Sequence, residues 1–223
     1  MSMNLIELQN ITFRYEEGEP LVLEDFSLSV QEGSCVIIEG DNGAGKTTLF
    51  RILTGLSFPE KGEYYFDGTE ITKEYLKDNA NSKLFHKKIG FLFQSPDVML
   101  FNPRVYDEIA FGPRQMGISD QDVEERVSDC LKVFGLEEFA DKAPYHLSGG
   151  QKKKVALASV ISLNPDVLIL DEPFAGLDKK TQEWLTRFLT ELKTAGKTIL
   201  IATHSSEQLS GITDEIVQIV SAD

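Results

Sequence analysis

Two cysteines in 223 residues are too few for a disulfide framework, and their positions, Cys35 and Cys130, fit no metal-ligand spacing. Cys35 lies in an apolar run and Cys130 in a helical stretch, so both are expected to be buried free thiols in a reducing cytosol. Positive charge is also scarce: 22 Lys+Arg stand against 36 Asp+Glu, a net charge of −14. Such a surface repels nucleic acid and anionic lipid heads, which excludes both as partners bound through bulk charge. No apolar run approaches the length that spans a bilayer, and residues 1–7 lack the basic start and apolar stretch of a secretory leader. A chain soluble by itself is expected. Internal repeats and low-complexity tracts are missing as well. What remains is an ordinary globular balance of 41% apolar and 26% charged residues, enough for one sizeable domain or two tightly joined lobes.

The apolar residues follow two patterns. Ile6, Leu8, Ile11, Phe13 and Tyr15 alternate imperfectly, and Phe26, Leu28 and Val30 alternate cleanly, as in half-buried strands. Tyr64-Tyr65-Phe66 runs into Asp67-Gly68, a strand entering a tight turn. These three pieces predict an antiparallel sheet near the N-terminus. Val36-Ile37-Ile38, Val167-Leu168-Ile169-Leu170 and residues 198–202 are instead continuous apolar runs, as in central parallel strands covered on both faces. Residues 119–163 predict helices. Ser119 and Asp122 make a capping-box-like start with Asp for the usual Glu. Val123, Val127, Leu131 and Phe134 then share one face, and Gly135 stops the helix. A second helix follows Gly149-Gly150 and ends before Asn164-Pro165. The expected fold is α/β, with a helical lobe at about 95–150 inserted in a core of about 1–94 and 151–223.

Gly40-Asp41-Asn42-Gly43-Ala44-Gly45-Lys46-Thr47-Thr48 matches the Walker A pattern, with an apolar strand before it and a helix-like stretch after it. Glycines let successive backbone N–H groups turn inward around phosphate oxygens, and the following helix aims its positive end at them. Lys46 places a compact cation on the β- and γ-phosphates, and the Thr47 hydroxyl is a Mg2+ ligand. Asp171-Glu172 ends an apolar strand, where open α/β sheets bind ligands. Asp171 is the candidate Mg2+ holder, and Glu172 the candidate base that polarises the attacking water. Leu147-Ser148-Gly149-Gly150-Gln151 opens a helix with a hydroxyl and backbone N–H groups, a second anion-binding surface without a second phosphate loop.

Together these motifs resemble the nucleotide-binding domain of ABC transporters across essentially the whole chain. The resemblance implies a RecA-like P-loop NTPase core with an N-terminal antiparallel β subdomain and an inserted helical subdomain. It also implies ATP and Mg2+ as ligands, and a head-to-tail dimer in which Ser148, Gly149, Gly150 and Gln151 complete the ATP site of the opposite subunit. In that family, Tyr15 corresponds to the aromatic that stacks on adenine. Gln94 corresponds to the glutamine that touches Mg2+ and water and links the site to the membrane subunit. Asp178, in Ala175-Gly176-Leu177-Asp178, belongs to the loop that crosses the dimer interface, and His204 is the switch histidine on the γ-phosphate. His86 and His146 match no motif and are expected to be structural or solvated.

Residues 105–113, Val-Tyr-Asp-Glu-Ile-Ala-Phe-Gly-Pro, with Gly117-Ile118, narrow the resemblance to the cobalt and energy-coupling-factor subgroup, which feeds transition metals or water-soluble vitamins into cells. That subgroup usually has Asn where Ser95 stands. The expected partners are a second ATPase subunit, identical or paralogous, and transmembrane transporter subunits, which would place the chain peripherally at the cytoplasmic membrane face. Many subgroup members carry a C-terminal extension that helps dimerise them, whereas the sequence stops at Asp223. A dimer held by ATP or by the membrane partner is therefore expected. Lys152-Lys153-Lys154 stands where arginines are common. Lysine keeps the charge but not the bidentate geometry, so a weaker interface contact is expected. The alternatives are the ATPase of another ABC importer or exporter, or a soluble ABC-type ATPase acting on DNA or ribosomes. The latter relatives insert long coiled coils or fuse two such domains, and this sequence has neither. A small-molecule kinase on the same loop would leave the Leu147–Gln151 motif, Gln94 and His204 without a role.

Overall fold

Alternating and continuous apolar runs build two different sheets. The computed structural model describes residues 4–204 and 206–220. Strands β1 (Asn4–Phe13), β2 (Leu23–Gln31) and β3 (Cys35–Glu39) precede helix α1 (Lys46–Leu53). Strands β4 (Lys61–Phe66) and β5 (Thr69–Glu70) lead through α2 (Lys73–Lys77) and α3 (Asn79–Lys88) to β6 (Ile89–Leu92). Three helices follow, α4 (Val105–Gln115), α5 (Asp120–Phe134) and α6 (Gly149–Ile161). The chain continues as β7 (Val167–Asp171), α7 (Lys179–Thr194), β8 (Thr198–Ala202) and β9 (Glu215–Gln218).

The alternating strands form an antiparallel sheet in the order β2-β1-β4-β5, and the continuous ones a parallel sheet in the order β6-β7-β8-β3-β9. Every residue of β7 and β8 is buried. Leu168 and Leu170 face a core shared with α4 to α7, while Val167 and Ile169 face a core shared with α1 and the antiparallel sheet. Two-sided burial explains why these strands show no alternation. Strand β6 escapes prediction because Gly90 interrupts a short apolar run. That glycine is needed for packing: a Cβ there would lie 2.4 Å from Val160 Cγ1 of α6. Strand β9 overlaps the stretch 216–220, which pattern alone marks only as apolar.

Helices α4, α5 and α6 pack on one another, and α6 also packs against β6. A boundary at 150 falls in the first turn of α6, a helix that serves both lobe and core. At the start of α5 the Ser119 hydroxyl accepts the Asp122 backbone N–H at 3.2 Å. The Asp122 carboxylate accepts from the same hydroxyl at 2.7 Å, not from the Ser119 backbone, so only half of a capping box forms. Gly135 ends α5 in the left-handed conformation, φ 62°. Helix α6 has the full reciprocal box between Ser148 and Gln151.

Candidate active site

The loop between β3 and α1 forms one wall of a cleft of about 700 Å3. Gly45, at φ 102°, turns the chain into α1, and a Cβ there would meet the Val22 carbonyl at 3.0 Å. Helix α1 has no side-chain cap and no acidic residue in its first turn. Its uncompensated N–H groups and positive dipole end therefore face the cleft open to an anion. Asp41, Asn42, Gly43 and Gly45 line the cleft, while Ala44 is buried behind it and its N–H closes the turn onto Asp41 O at 3.1 Å. The Lys46 ammonium lies inside the loop, donating to Gly40 O at 2.6 Å and Asp41 O at 3.0 Å.

The carboxyl end of β7 forms the facing wall. Asp171 is buried and accepts the Thr47 hydroxyl at 2.7 Å. Burial raises its pKa, with the Thr47 hydrogen bond acting in the opposite direction. Glu172 follows at φ 44°, a strained conformation for a non-glycine residue, held by its N–H to Ala202 O at 2.9 Å at the end of β8. Two residues past Ala202, His204 reaches back with Nδ1 3.1 Å from Glu172 Oε2. The end of β8 therefore fixes both the backbone of Glu172 and the approach of His204. The His204 side chain is 71% exposed, facing the open side of the cleft. Tyr15 stands in a bend beyond the end of β1, not on the strand as the alternation implied, and is 54% exposed. Its hydroxyl meets the Thr48 hydroxyl at 2.8 Å, and Phe13 supports its ring edge-on. Gln94, just past β6, completes the rim.

Ser148, Gly149, Gly150, Gln151 and Asp178 are absent from this lining. They border a second cleft of about 510 Å3, with Lys154, Lys180 and Arg187. Helix α6 has no acid in its first turn, so this cleft combines a helix N-terminus with three cations. The two clefts share no lining residue. The segment 175–178 runs from one to the other: Ala175 borders the first, and Gly176 and Asp178 the second. Asp178 caps α7 by accepting the Thr181 N–H at 2.7 Å, and that bond lowers its pKa. One chain thus carries two phosphate-compatible surfaces that do not meet.

The "ABC transporter" family profile matches residues 23–175, well over half of the chain. The chain belongs to the ABC transporter family. The nickel import ATP-binding protein LarO of Lactiplantibacillus plantarum is 45% identical over 96% of this chain and 88% of its own length. Among solved structures, cbiO1 from Clostridium perfringens, part of the ABC transporter complex cbiONQ, superposes with a TM-score of 0.84 at 33% identity, covering 97% of this chain and 85% of that one. The ATP-binding cassette MJ0796, in a dimeric post-hydrolysis state bound to ADP and Pi, superposes with a TM-score of 0.86 at 31% identity, covering 96% and 94%. This ABC family chain is the ATP-binding subunit of a transporter and hydrolyses ATP. Among the described residues no helix is long and apolar enough to cross a membrane.

Motif reading missed two features. Lys153, expected only as an interface lysine, is buried and donates to Gln94 O at 2.7 Å. Its neighbours also make contacts within the chain: Lys152 pairs with Asp97 at 2.7 Å, and Lys154 lies 4.4 Å from the Trp184 ring centre. Glu108 is buried and accepts the N–H groups of Phe101 at 3.0 Å and Asn102 at 2.7 Å, a role no local spacing advertises.

Proposed function

We propose that this chain powers uptake of a small solute, a transition metal ion such as cobalt or nickel or a water-soluble vitamin, as one half of a head-to-tail pair of ATPase subunits. The observation that carries the pairing is the division of the phosphate-binding equipment between two clefts of one chain. Each surface lacks an opposite wall, and a second copy turned head to tail supplies it for both. All motifs are intact in this chain, so a pair of copies has two competent sites. The dimeric state of the MJ0796 cassette supports the same arrangement.

In this reading Tyr15 stacks on adenine, while the backbone of residues 41–48 and the Lys46 ammonium hold the phosphates. Ser148, Gly149, Gly150, Gln151 and Asp178 close the site from the partner. The Thr47 hydroxyl and Asp171 carboxylate already converge, and with Gln94 they offer hard oxygen donors that suit Mg2+. Bound there, Mg2+ would neutralise phosphate charge. Glu172, held in its strained backbone by Ala202, accepts a proton from the attacking water. His204, fixed through Nδ1, offers its other ring nitrogen to the γ-phosphate. Losing the γ-phosphate removes the charge that joins the two surfaces, and the pair opens.

Next to Gln94 an apolar groove of about 310 Å3 lies between core and helical lobe, lined by Phe91, Phe93, Val98, Met99, Phe101 and Phe111 among others. Its exposed aromatic rim suits an apolar helix of a membrane subunit, which would hold the chain at the cytoplasmic membrane face. The nickel-import name of LarO and the 105–113 segment support metal or vitamin cargo. The pairing is tested by mixing Ser148→Arg and Lys46→Ala chains, each inactive alone. One of the two sites in a mixed pair is whole, so random pairing restores turnover to at most about a quarter of wild type, the value for sites that act independently. A mixture as inactive as its components removes the divided site. The cargo is tested by purifying the membrane complex through this chain and measuring uptake of labelled nickel, cobalt and vitamins in reconstituted vesicles.

A further inference from the structure

Lys153 is 4% exposed and makes no ion pair within salt-bridge distance among the described residues. Burying an ammonium without a paired carboxylate is costly, so its one hydrogen bond calls for an explanation. That bond runs from α6 to the backbone carbonyl of Gln94 at 2.7 Å. One residue earlier on the same helix, Lys152 grips the Asp97 carboxylate at 2.7 Å. Two consecutive lysines thus attach α6 at both ends of the short segment 94–97, which carries Gln94 from the end of β6 to the apolar groove. Burial lowers the Lys153 pKa, with the charges of Asp171 and Glu172 acting in the opposite direction.

The position of this attachment matters because α6 begins at Ser148, in the second cleft, while Gln94 borders the first. We propose that Lys153 is a positioning residue that ties Gln94 in a chain's own ATP site to the helix that closes the partner's site, so that the two sites engage together. The inference rests on the divided-site reading above. When ATP draws the N-terminus of α6 toward the partner, the lysine strut carries the Gln94 backbone with it and sets the Gln94 amide at the chain's own γ-phosphate. Occupancy of one site then favours closure of the other, because a single rigid helix belongs to both.

Lys153→Met keeps the length and apolar stem of the side chain and removes the donor. Lys153→Arg restores a donor. The expected result for Lys153→Met is an ATP dissociation constant within about twofold of wild type, kcat lower by about tenfold, and a Hill coefficient for ATP hydrolysis that falls towards one. Lys153→Arg recovers part of both losses. The decisive arm is a double-mutant cycle with Gln94→Ala, which keeps the backbone carbonyl but removes the amide that Lys153 positions. Lys153→Met should cost no further kcat in that background. Additive losses would overturn the proposal, since Lys153 would then act through folding or through Asp171 and Glu172. Wild-type cooperativity in Lys153→Met would overturn it as well. Hydrogen exchange of the segment 92–97 should rise in Lys153→Met and return in Lys153→Arg, and unchanged exchange contradicts the strut. If the mixed Ser148→Arg and Lys46→Ala chains recover turnover while these arms fail, the strut is wrong and the divided site stands. If the mixture fails, both fall.

Discussion

Lys46 shows how the loop holds a single side chain at the position proposed for phosphate. Its ammonium donates to two loop carbonyls, Gly40 O and Asp41 O, beside the uncapped N-terminus of α1. Lys46→Ala leaves the N-terminus of α1 in place but removes the only lysine or arginine that borders the first cleft among the described residues, and ATP affinity should fall by at least about tenfold in a calorimetric titration. Glu172 differs in that its proposed task is chemical. Glu172→Gln keeps the shape and the backbone bond to Ala202 and loses the proton acceptor. ATP binding should persist while single-turnover hydrolysis slows by about a hundredfold or more. The two cysteines test packing instead. Burial pushes both thiols up to about 11, Cys35 and Cys130 alike, so the reactive thiolate is nearly absent at neutral pH. Neither should be alkylated by iodoacetamide at pH 7 in the folded chain, and both should be alkylated after unfolding. Native labelling of Cys35, which has no exposed surface, would contradict the packing of β3.

At the scale of elements, the helical lobe is joined to the rest of the chain by aromatic packing as well as by Lys152 and Lys153. Phe134, at the end of α5, is fully buried, with its ring 5.4 Å from Trp184 and 5.0 Å from Phe188 of α7. Phe134→Ala should destabilise the fold by about 3–5 kcal/mol, read from chemical denaturation, with little change in the slope of the transition. Phe134 and its helix were legible in the sequence because an amphipathic stripe, a serine cap and a terminal glycine all act locally. The central strands β3, β7 and β8 were legible for the same reason, each being an uninterrupted apolar run. Strand β6 was not, because Gly90 exists to let Val160 approach, a contact 70 residues away in sequence. The Walker-type residues could be placed by motif, yet Lys153 could not. Its role depends on where Gln94 lies after folding, and a lysine triplet after a glycine pair looks like a solvated helix face. Tyr15 fell between these cases: its alternation extended β1 by two residues, while the chain bends there and directs the hydroxyl to Thr48.

At the scale of the whole molecule, one fact organises the rest. The two phosphate-compatible surfaces of the chain lie in separate clefts, and its net charge of −14 opposes the approach of a second copy until, in the proposed pairing, a ligand joins them. In that proposal ATP bridges Lys46 of one copy and the cationic second cleft of the other and supplies the attraction. Added salt should weaken the long-range repulsion between free copies more than the enclosed contacts of the ATP-bound pair. Pairing is read most plainly from sedimentation of the Glu172→Gln chain, which is expected to bind ATP without consuming it. Without nucleotide it should sediment as a species near 24.9 kDa, and with saturating ATP and Mg2+ as one of about twice that mass, reverted by Ser148→Arg. A chain that binds ATP fully and still sediments as a monomer would contradict the pairing.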